Sequence, residues 1–256
     1  MRYALISDIH ANLPALEAVL ADIASRTDVG ATYHLGDLVG YAPWPDETVA
    51  LLRQHGIPGV AGNYDSTVAT DYKHCGCRYE DPHQEALSHE SYAWTRANVS
   101  SDTKRFLGSL PFRITIRAAG GHASGPEIIL VHGNHALNTV YVFAERSDGF
   151  LGKMGAALGA RSGDVVCFGH THVPWHREVS GVHFINTGSV GRPKDGDRRA
   201  GYVLLEVDGG SPQVEFVRVE YDVERAATAI LASDLPDEFA SHLRFGGTGP
   251  KGPGAG

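Results

Sequence analysis

The chain has 256 residues, 42% of them hydrophobic and 20% charged, with a formal net charge of −8. That length and balance exclude a disordered chain and suit one globular domain with a sizeable core. The negative charge excludes a broad basic face able to neutralise long nucleic acid, while leaving room for local positive pockets.

In chain order, the first third reads as alternating strand and helix. Strands are predicted at Tyr3 to Ser7, Thr32 to Leu35 and Ile57 to Ala61, with helices at Pro14 to Ser25 and Pro45 to His55, a βαβαβ pattern. In the first helix Leu13, Leu16, Val19, Leu20 and Ile23 fall three or four residues apart, which gives one apolar face to pack on a sheet. Pro14 suits a first helical position, and Asn12 can cap it. Later apolar runs, EIILV before His132, DVVCF before Gly169, VHFIN before Thr187, YVLLEV from Tyr202 and VEFVRVEY from Val214, predict a strand-rich second half, closed by a final helix from Val223 to Ala232.

Segment Tyr64 to Pro111 breaks this rhythm. Its first sixteen residues hold three tyrosines, and His74, Cys75, Cys77, Arg78 and His83 precede a helical stretch around Glu85 to Asn98. It reads as an insertion over a site, within a single domain spanning 1–245. A zinc site on His74, Cys75, Cys77 and His83 is the weaker reading, because the spacing is not that of a zinc knuckle. The tail at 246–256, GGTGPKGPGAG, is nearly all Gly and Pro and is expected to be flexible. Chain position one leads straight into the first strand run without a signal-peptide pattern, and no apolar run approaches membrane-spanning length. With only three cysteines, too few for a disulfide framework, these features predict a cytoplasmic protein with no membrane partner.

Chemistry concentrates where the apolar runs end. Asp8-Ile9-His10 follows the first, and extended geometry there would turn a carboxylate and an imidazole to one side of the chain, where both can reach one cation. Gly36-Asp37 follows the second, and its carboxylate can place one oxygen on each of two cations. Gly62-Asn63 follows the third and offers a neutral amide oxygen. His132 follows EIILV, and His170 and His172 follow DVVCF. Each motif has an ordinary reading as a cap, a turn or one of 14 histidines. All of them together, at the carboxyl ends of strands where open α/β sheets collect ligands, point instead to a two-metal site.

The ordered set DIH, GD, GNYD, VHG and GHTH resembles the calcineurin-like metallophosphoesterase superfamily, and SDIHANLPALEAVL, GDLVGYAP and NTGSVGRPKDGD look like its small prokaryotic phosphodiesterase branch. The resemblance runs from Arg2 to about Tyr221. It implies a four-layer α/β/β/α sandwich, with one metal on Asp8, His10, Asp37 and His172 and a second on Asp37, Asn63, His132 and His170. It implies two divalent ions, manganese or iron first and zinc or nickel next, sharing a hydroxide that attacks phosphorus in line.

The departure from the family pattern is Tyr64, which stands where many members carry a histidine that assists the leaving oxygen. A phenol is a weaker acid than imidazolium, so a substrate with a good leaving group is expected. Asp65 is read as orienting a ligand. In the loop Gly188 to Lys194, Arg192 is the favoured phosphate contact, against a plain glycine-rich turn. The expected substrate is a small phosphate ester, with a phosphodiester preferred. A phosphomonoester, a dinucleoside polyphosphate or a phosphoprotein needs only different loops. A silent protein-binding copy of the fold is disfavoured because all seven ligand positions hold competent residues, and a metal-dependent amide hydrolase because the longer H-x-H-x-D-H run is absent. The sequence leaves the oligomeric state open.

Overall fold

Alternation in the first strand decides the layering. The protein was analysed as a computed structural model that describes residues 1–79, 81–117, 125–208 and 211–247. Strand β1 (Arg2–Ile6) turns Ala4 and Ile6 to one face and Tyr3 and Leu5 to the other. The first pair packs against helix α1 (Leu13–Ser25), whose buried stripe is Leu16, Val19, Leu20 and Ile23. The second pair joins a dry layer between two sheets.

The first sheet has the order β2-β1-β8-β9, with β2 at Val29–His34, β8 at Ala200–Glu206 and β9 at Gln213–Val219. The second has the order β3-β4-β5-β7-β6, with β3 at Ile114–Arg117, β4 at Glu127–Leu130, β5 at Val165–Phe168, β6 at Trp175–Val179 and β7 at Val182–Asn186. Ile128, Leu130, Val165 and Cys167 face the first sheet. Ile129, Val166 and Phe168 face outward onto helix α6 (Asp148–Ala157), where Leu151 and Met154 are buried. Two sheets with helices on both outer faces give the expected α/β/β/α sandwich. Burial of each such large apolar side chain is worth about 1.5–3 kcal/mol, which makes this double core the main source of stability.

Strands β1 and β2 run parallel, as do β4, β5 and β7. Their carboxyl ends meet at one edge of the sandwich, and β8, antiparallel to β1, brings the loop before Ala200 to the same edge.

Several elements differ from expectation. The third predicted strand is reduced to a single bridge between His34 and Gly59, because Pro58 has no N–H to give a ladder. The segment after it forms helices α3 (Asn63–Ala69), α4 (Pro82–Asn98) and α5 (Ser101–Ser109). Helix α2 is at Pro45–Gln54. The predicted final helix is α7 (Val223–Leu231), but α8 (Glu238–Phe245) follows and ends on Gly246 in the left-handed conformation. Strands β3 and β6 and helices α5, α6 and α8 carried too weak a pattern to be predicted. Of the expected flexible tail, residues 248–256 lie outside the described residues. Among the described residues, no helix is long and apolar enough to cross a membrane.

His34 ends β2 fully buried, with neither ring nitrogen hydrogen-bonded. Burial alone lowers its pKa to about 3. The unfolded chain binds a proton at this position below about pH 6.5 and the folded chain does not, so the contribution is intact above that pH and is lost as pH falls towards 3. His34→Asn should flatten the acid-side stability profile by up to about 1.4 kcal/mol per pH unit. Urea unfolding of metal-stripped wild type and variant at pH 7 and pH 5 tests this, and an equal difference at both pH values would refute it.

Candidate metal centre

The loops leaving the parallel strands are tight. Asp8, His10, Asp37, His170 and His172 all have φ between 49° and 67°, the left-handed region that costs a non-glycine residue about 1–2 kcal/mol. The Asp8 and His10 side chains therefore converge through a left-handed turn, not through the extended geometry expected from their spacing. Backbone bonds hold that turn: Asp8 N–H donates to Gly36 O, His10 N–H to Asp37 O and Ala11 N–H to Leu38 O, all at 2.9–3.0 Å. Asn12 caps α1, its Oδ1 accepting from Ala15 N–H.

Two buried groups of potential ligands result: Asp8, His10 and His172, and Asp37, His132 and His170. In the first, His172 Nε2 is 3.2 Å from both Asp8 Oδ1 and His10 Nε2. In the second, His132 Nε2 is 3.3 Å from His170 Nδ1 and 3.2 Å from Asn63 Oδ1. Asp37 Oδ2 lies between them, 3.7 Å from His10 Nε2 and 3.5 Å from His132 Nε2. Donor atoms bound about 2.1 Å from a shared ion stand about 3.0–3.4 Å apart, so this spacing suits a first-row metal in each group. Asp37 Oδ1 accepts from Tyr64 N–H at 2.9 Å, which leaves Oδ2 alone to face both groups, in place of one oxygen for each.

Hydrogen bonds behind the ligands fix which atoms point inward. Nδ1 of His10, His132 and His172 lies within 3.1, 2.7 and 2.6 Å of the carbonyls of Val39, Leu35 and Arg192. Each Nδ1 therefore donates and each Nε2 points into the centre, as a lone pair on His10 and His172. The facing lone pairs of His10 and His172 have no proton between them, and Asp8 Oδ1 is buried without a hydrogen-bond partner. A cation relieves both, so the residues fit the metals the motifs imply. Asn63 is oriented by its amide, which donates to Cys75 O at 3.1 Å and to Cys77 Sγ at 3.3 Å, leaving Oδ1 to the site.

Burial, with His172 adding to it, drives the His10 pKa far down, and burial with His132 does the same to His170. Both imidazoles are neutral, as metal ligands must be. At His132 burial is the largest influence and pulls downward, but Asp37 and Asp8 outweigh it and raise the pKa to about 10. Asp65 receives N–H bonds from Asp37, Leu38 and Gly62 at 2.8–2.9 Å, so it clamps the Asp37 loop to the start of α3. Burial and the neighbouring Asp37 raise its pKa to about 7.

Two supporting residues, Ser7 and Asn186, escaped the sequence reading, and two more, Ser189 and Lys194, lie in the loop read as a candidate phosphate contact. Ser7 Oγ and His170 N–H donate to Asp8 Oδ2, at 2.6 and 2.9 Å. Asn186, at the end of β7, donates to Gly169 O and Thr171 Oγ1 and holds the GHTH loop. Ser189 Oγ donates to Asp8 O at 2.7 Å. Lys194 lines the narrow cleft over the ligands together with Tyr41, Tyr64, Cys77, Tyr79 and Tyr141. The available signals were the SD pair and the NTGSVGRPK run.

Arg192 sits elsewhere than expected. Its guanidinium lies 3.9 Å from the Tyr41 ring centre and 5.4 Å from that of Phe239, and it lines a neighbouring cavity, not the cleft over the ligands. Tyr64 is buried among His10, Tyr41 and Tyr92, with its hydroxyl unpaired. Burial, with Tyr41 second, holds its phenol well above the usual value near 10. In the segment after Tyr64, Cys75 and Cys77 pair as a disulfide, where three cysteines were read as too few for a disulfide framework; the turn at Gly76 brings their Cα atoms to 5.4 Å. Among the described residues, neither metal-ligating group includes His74, Cys75, Cys77 or His83, so no zinc cluster forms in the insertion.

Gly62 is a position where only glycine fits: a Cβ there would lie 2.1 Å from Asp37 Oδ1. Gly62→Ala should therefore displace the carboxylate facing both ligand groups and lower the metal content of the folded protein. Asp65→Asn should weaken metal binding by about 10- to 100-fold with secondary structure intact. Elemental analysis with circular dichroism checks both, and full metal loading in either variant would contradict the geometry.

Comparison with known proteins gives the family of the chain. A protein of Methanocaldococcus jannaschii, itself described as uncharacterised, is 32% identical over 264 residues, covering 95% of this chain and 97% of the relative. The crystal structure of a metallophosphoesterase from Sphaerobacter thermophilus superposes with a TM-score of 0.73 at 31% identity, over 96% of this chain and 99% of that one. A hypothetical protein from Pyrococcus horikoshii shares the fold, with a TM-score of 0.80 at 21% identity over 96% and 98% of the two chains. The calcineurin-like phosphoesterase superfamily domain matches residues 1–210, and the chain belongs to that superfamily.

Proposed function

We propose that the protein is a phosphodiesterase dependent on two divalent metal ions. The observation that carries this reading is Asp37 Oδ2, a single carboxylate oxygen within 3.7 Å of one buried ligand group and 3.5 Å of the other. Asp8, His10, Asp37 and His172 would hold one ion, and Asp37, Asn63, His132 and His170 the second. Oxygen and imidazole donors without a thiolate suit manganese or iron, with zinc or nickel as the next candidates. When bound, the ions would supply charge neutralisation at the phosphoryl oxygens and a water acidic enough to react at neutral pH.

The protein's own residues do the rest. The carbonyls of Val39, Leu35 and Arg192 hold three imidazoles in the ligating tautomer, and Asp65 holds the Asp37 loop. Lys194 lines the cleft over the ligands and is the cation placed to meet a phosphate oxygen. Arg192 supports Tyr41 by stacking. Tyr64 packs beneath the cleft and is a weaker acid than the imidazolium it replaces, which favours substrates whose leaving group departs unaided. A phosphomonoester, a dinucleoside polyphosphate or a phosphoprotein would use the same ligands. A silent scaffold is disfavoured because every ligand position keeps a competent residue.

Bis(p-nitrophenyl) phosphate should be hydrolysed by the manganese- or iron-loaded protein, lost on chelation and restored by either metal. Asp37→Ala should abolish turnover by 100-fold or more, on the order of the loss of a group acting in the transition state. No turnover with any of the four metals would sink the proposal. Tyr64→His should raise alkyl phosphodiester hydrolysis more than aryl hydrolysis, and equal gains would count against the role given to Tyr64.

A further inference from the structure

The loop between β4 and α6 builds a surface that the metal chemistry does not require. Tyr141 stacks on His170 with ring centres 4.0 Å apart at 19°, and Phe143 continues the column at 5.6 Å and 9°. Phe143 is 45% exposed, so the column ends on a partly solvent-facing aromatic side chain beside the site. The shelf is fixed in place. Val142 between the two rings is buried, its carbonyl accepts from Trp175 Nε1 at 3.3 Å, and Arg177 donates to the carbonyls of Ala144 and Arg146. Asn138 ties the same loop to Gly62 O at 3.0 Å and Ser66 Oγ at 2.9 Å.

This shelf is one wall of a cavity of about 900 Å³, which shares Tyr79, Tyr141 and Lys194 with the cleft over the metal ligands. Arg78, Arg146 and Lys194 line it, and among the described lining residues the one carboxylate is Asp81, which caps α4 by accepting from His83 N–H. Among the described residues, none of the three cations has a carboxylate within ion-pair distance. Among the described residues, a chain of net charge −8 therefore keeps a local excess of positive charge beside a partly exposed aromatic side chain. A single small phosphodiester needs neither. The combination fits a planar base joined to more than one phosphate, because stacking is indifferent to base identity and the cations take the additional anionic groups.

We propose that this cleft binds a nucleotide carrying at least two phosphates, its base on Phe143 and its outer phosphate held by Arg78, Arg146 and Lys194, with another phosphate directed to the ligand groups. This assignment rests on the phosphodiesterase reading for the reaction but not for the binding. The test is calorimetric titration of the metal-stripped full chain with ADP, AMP and inorganic diphosphate. ADP should bind at least tenfold more tightly than diphosphate. Phe143→Ala should remove most of that advantage, by roughly tenfold, and leave diphosphate binding nearly unchanged, while Phe143→Trp should keep it. Arg78→Ala should weaken ADP more than AMP. ADP binding no tighter than diphosphate, or Phe143→Ala lowering the two equally, would overturn the proposal. If bis(p-nitrophenyl) phosphate is turned over by the metal-loaded protein while that base dependence is missing, only the nucleotide assignment falls. If the base dependence is present and no phosphoester is hydrolysed with any metal, the nucleotide site stands and the hydrolase reading falls.

Discussion

Burying two carboxylates against four imidazoles is the constraint around which this molecule is organised. Asp8 and Asp37 are removed from water, and taking isolated carboxylates into a protein interior is costly unless they are paired or bind a cation. The ligands come from both sheets: Asp8, His10 and Asp37 follow β1 and β2, whereas His132, His170 and His172 follow β4 and β5. The charge cluster thus acts as a clasp at one edge of the sandwich. His132 Nδ1–H to Leu35 O and His170 N–H to Asp8 Oδ2 are among the bonds that cross it.

That clasp explains the local strain. Left-handed φ values at five ligand positions are unfavourable one by one, and they persist because backbone bonds between neighbouring loops over-determine them. The same loops leave their carbonyls pointing at the outer nitrogens of the imidazoles. A strained backbone and fixed tautomers are two results of one packing arrangement. Hydrogen bonds from the imidazoles to backbone carbonyls direct the ligand atoms, which would lower the reorganisation that cation binding requires.

Around this fixed centre the variable parts are loops. The insertion after Asn63 sets the amide through Cys75 and Cys77 and contributes Tyr79 to the cleft; the loop after His132 contributes the aromatic shelf. The candidate metal ligands sit at strand ends, and the cavity walls sit on segments that pack on them without belonging to either sheet.

The sequence by itself determined the strands of the first sheet, the apolar stripe of α1 and the identity of the ligand-bearing motifs. Those signals are local: period-two and helical spacing, and polar residues placed where an apolar run stops. Helix α6 and strands β3 and β6 were not legible, because short elements with mixed patterns become regular only when a neighbour covers them. The third strand was over-read, since its apolar residues gave no weight to the missing N–H of Pro58. Only the tertiary structure decided that Asp37 faces both groups through one oxygen, that Arg192 stacks on Tyr41 while Lys194 enters the cleft, and that Tyr141 and Phe143 form a shelf. Each of these depends on contacts between segments far apart in the chain, such as His10 with His172 or Tyr141 with His170, and no local pattern encodes such a distance.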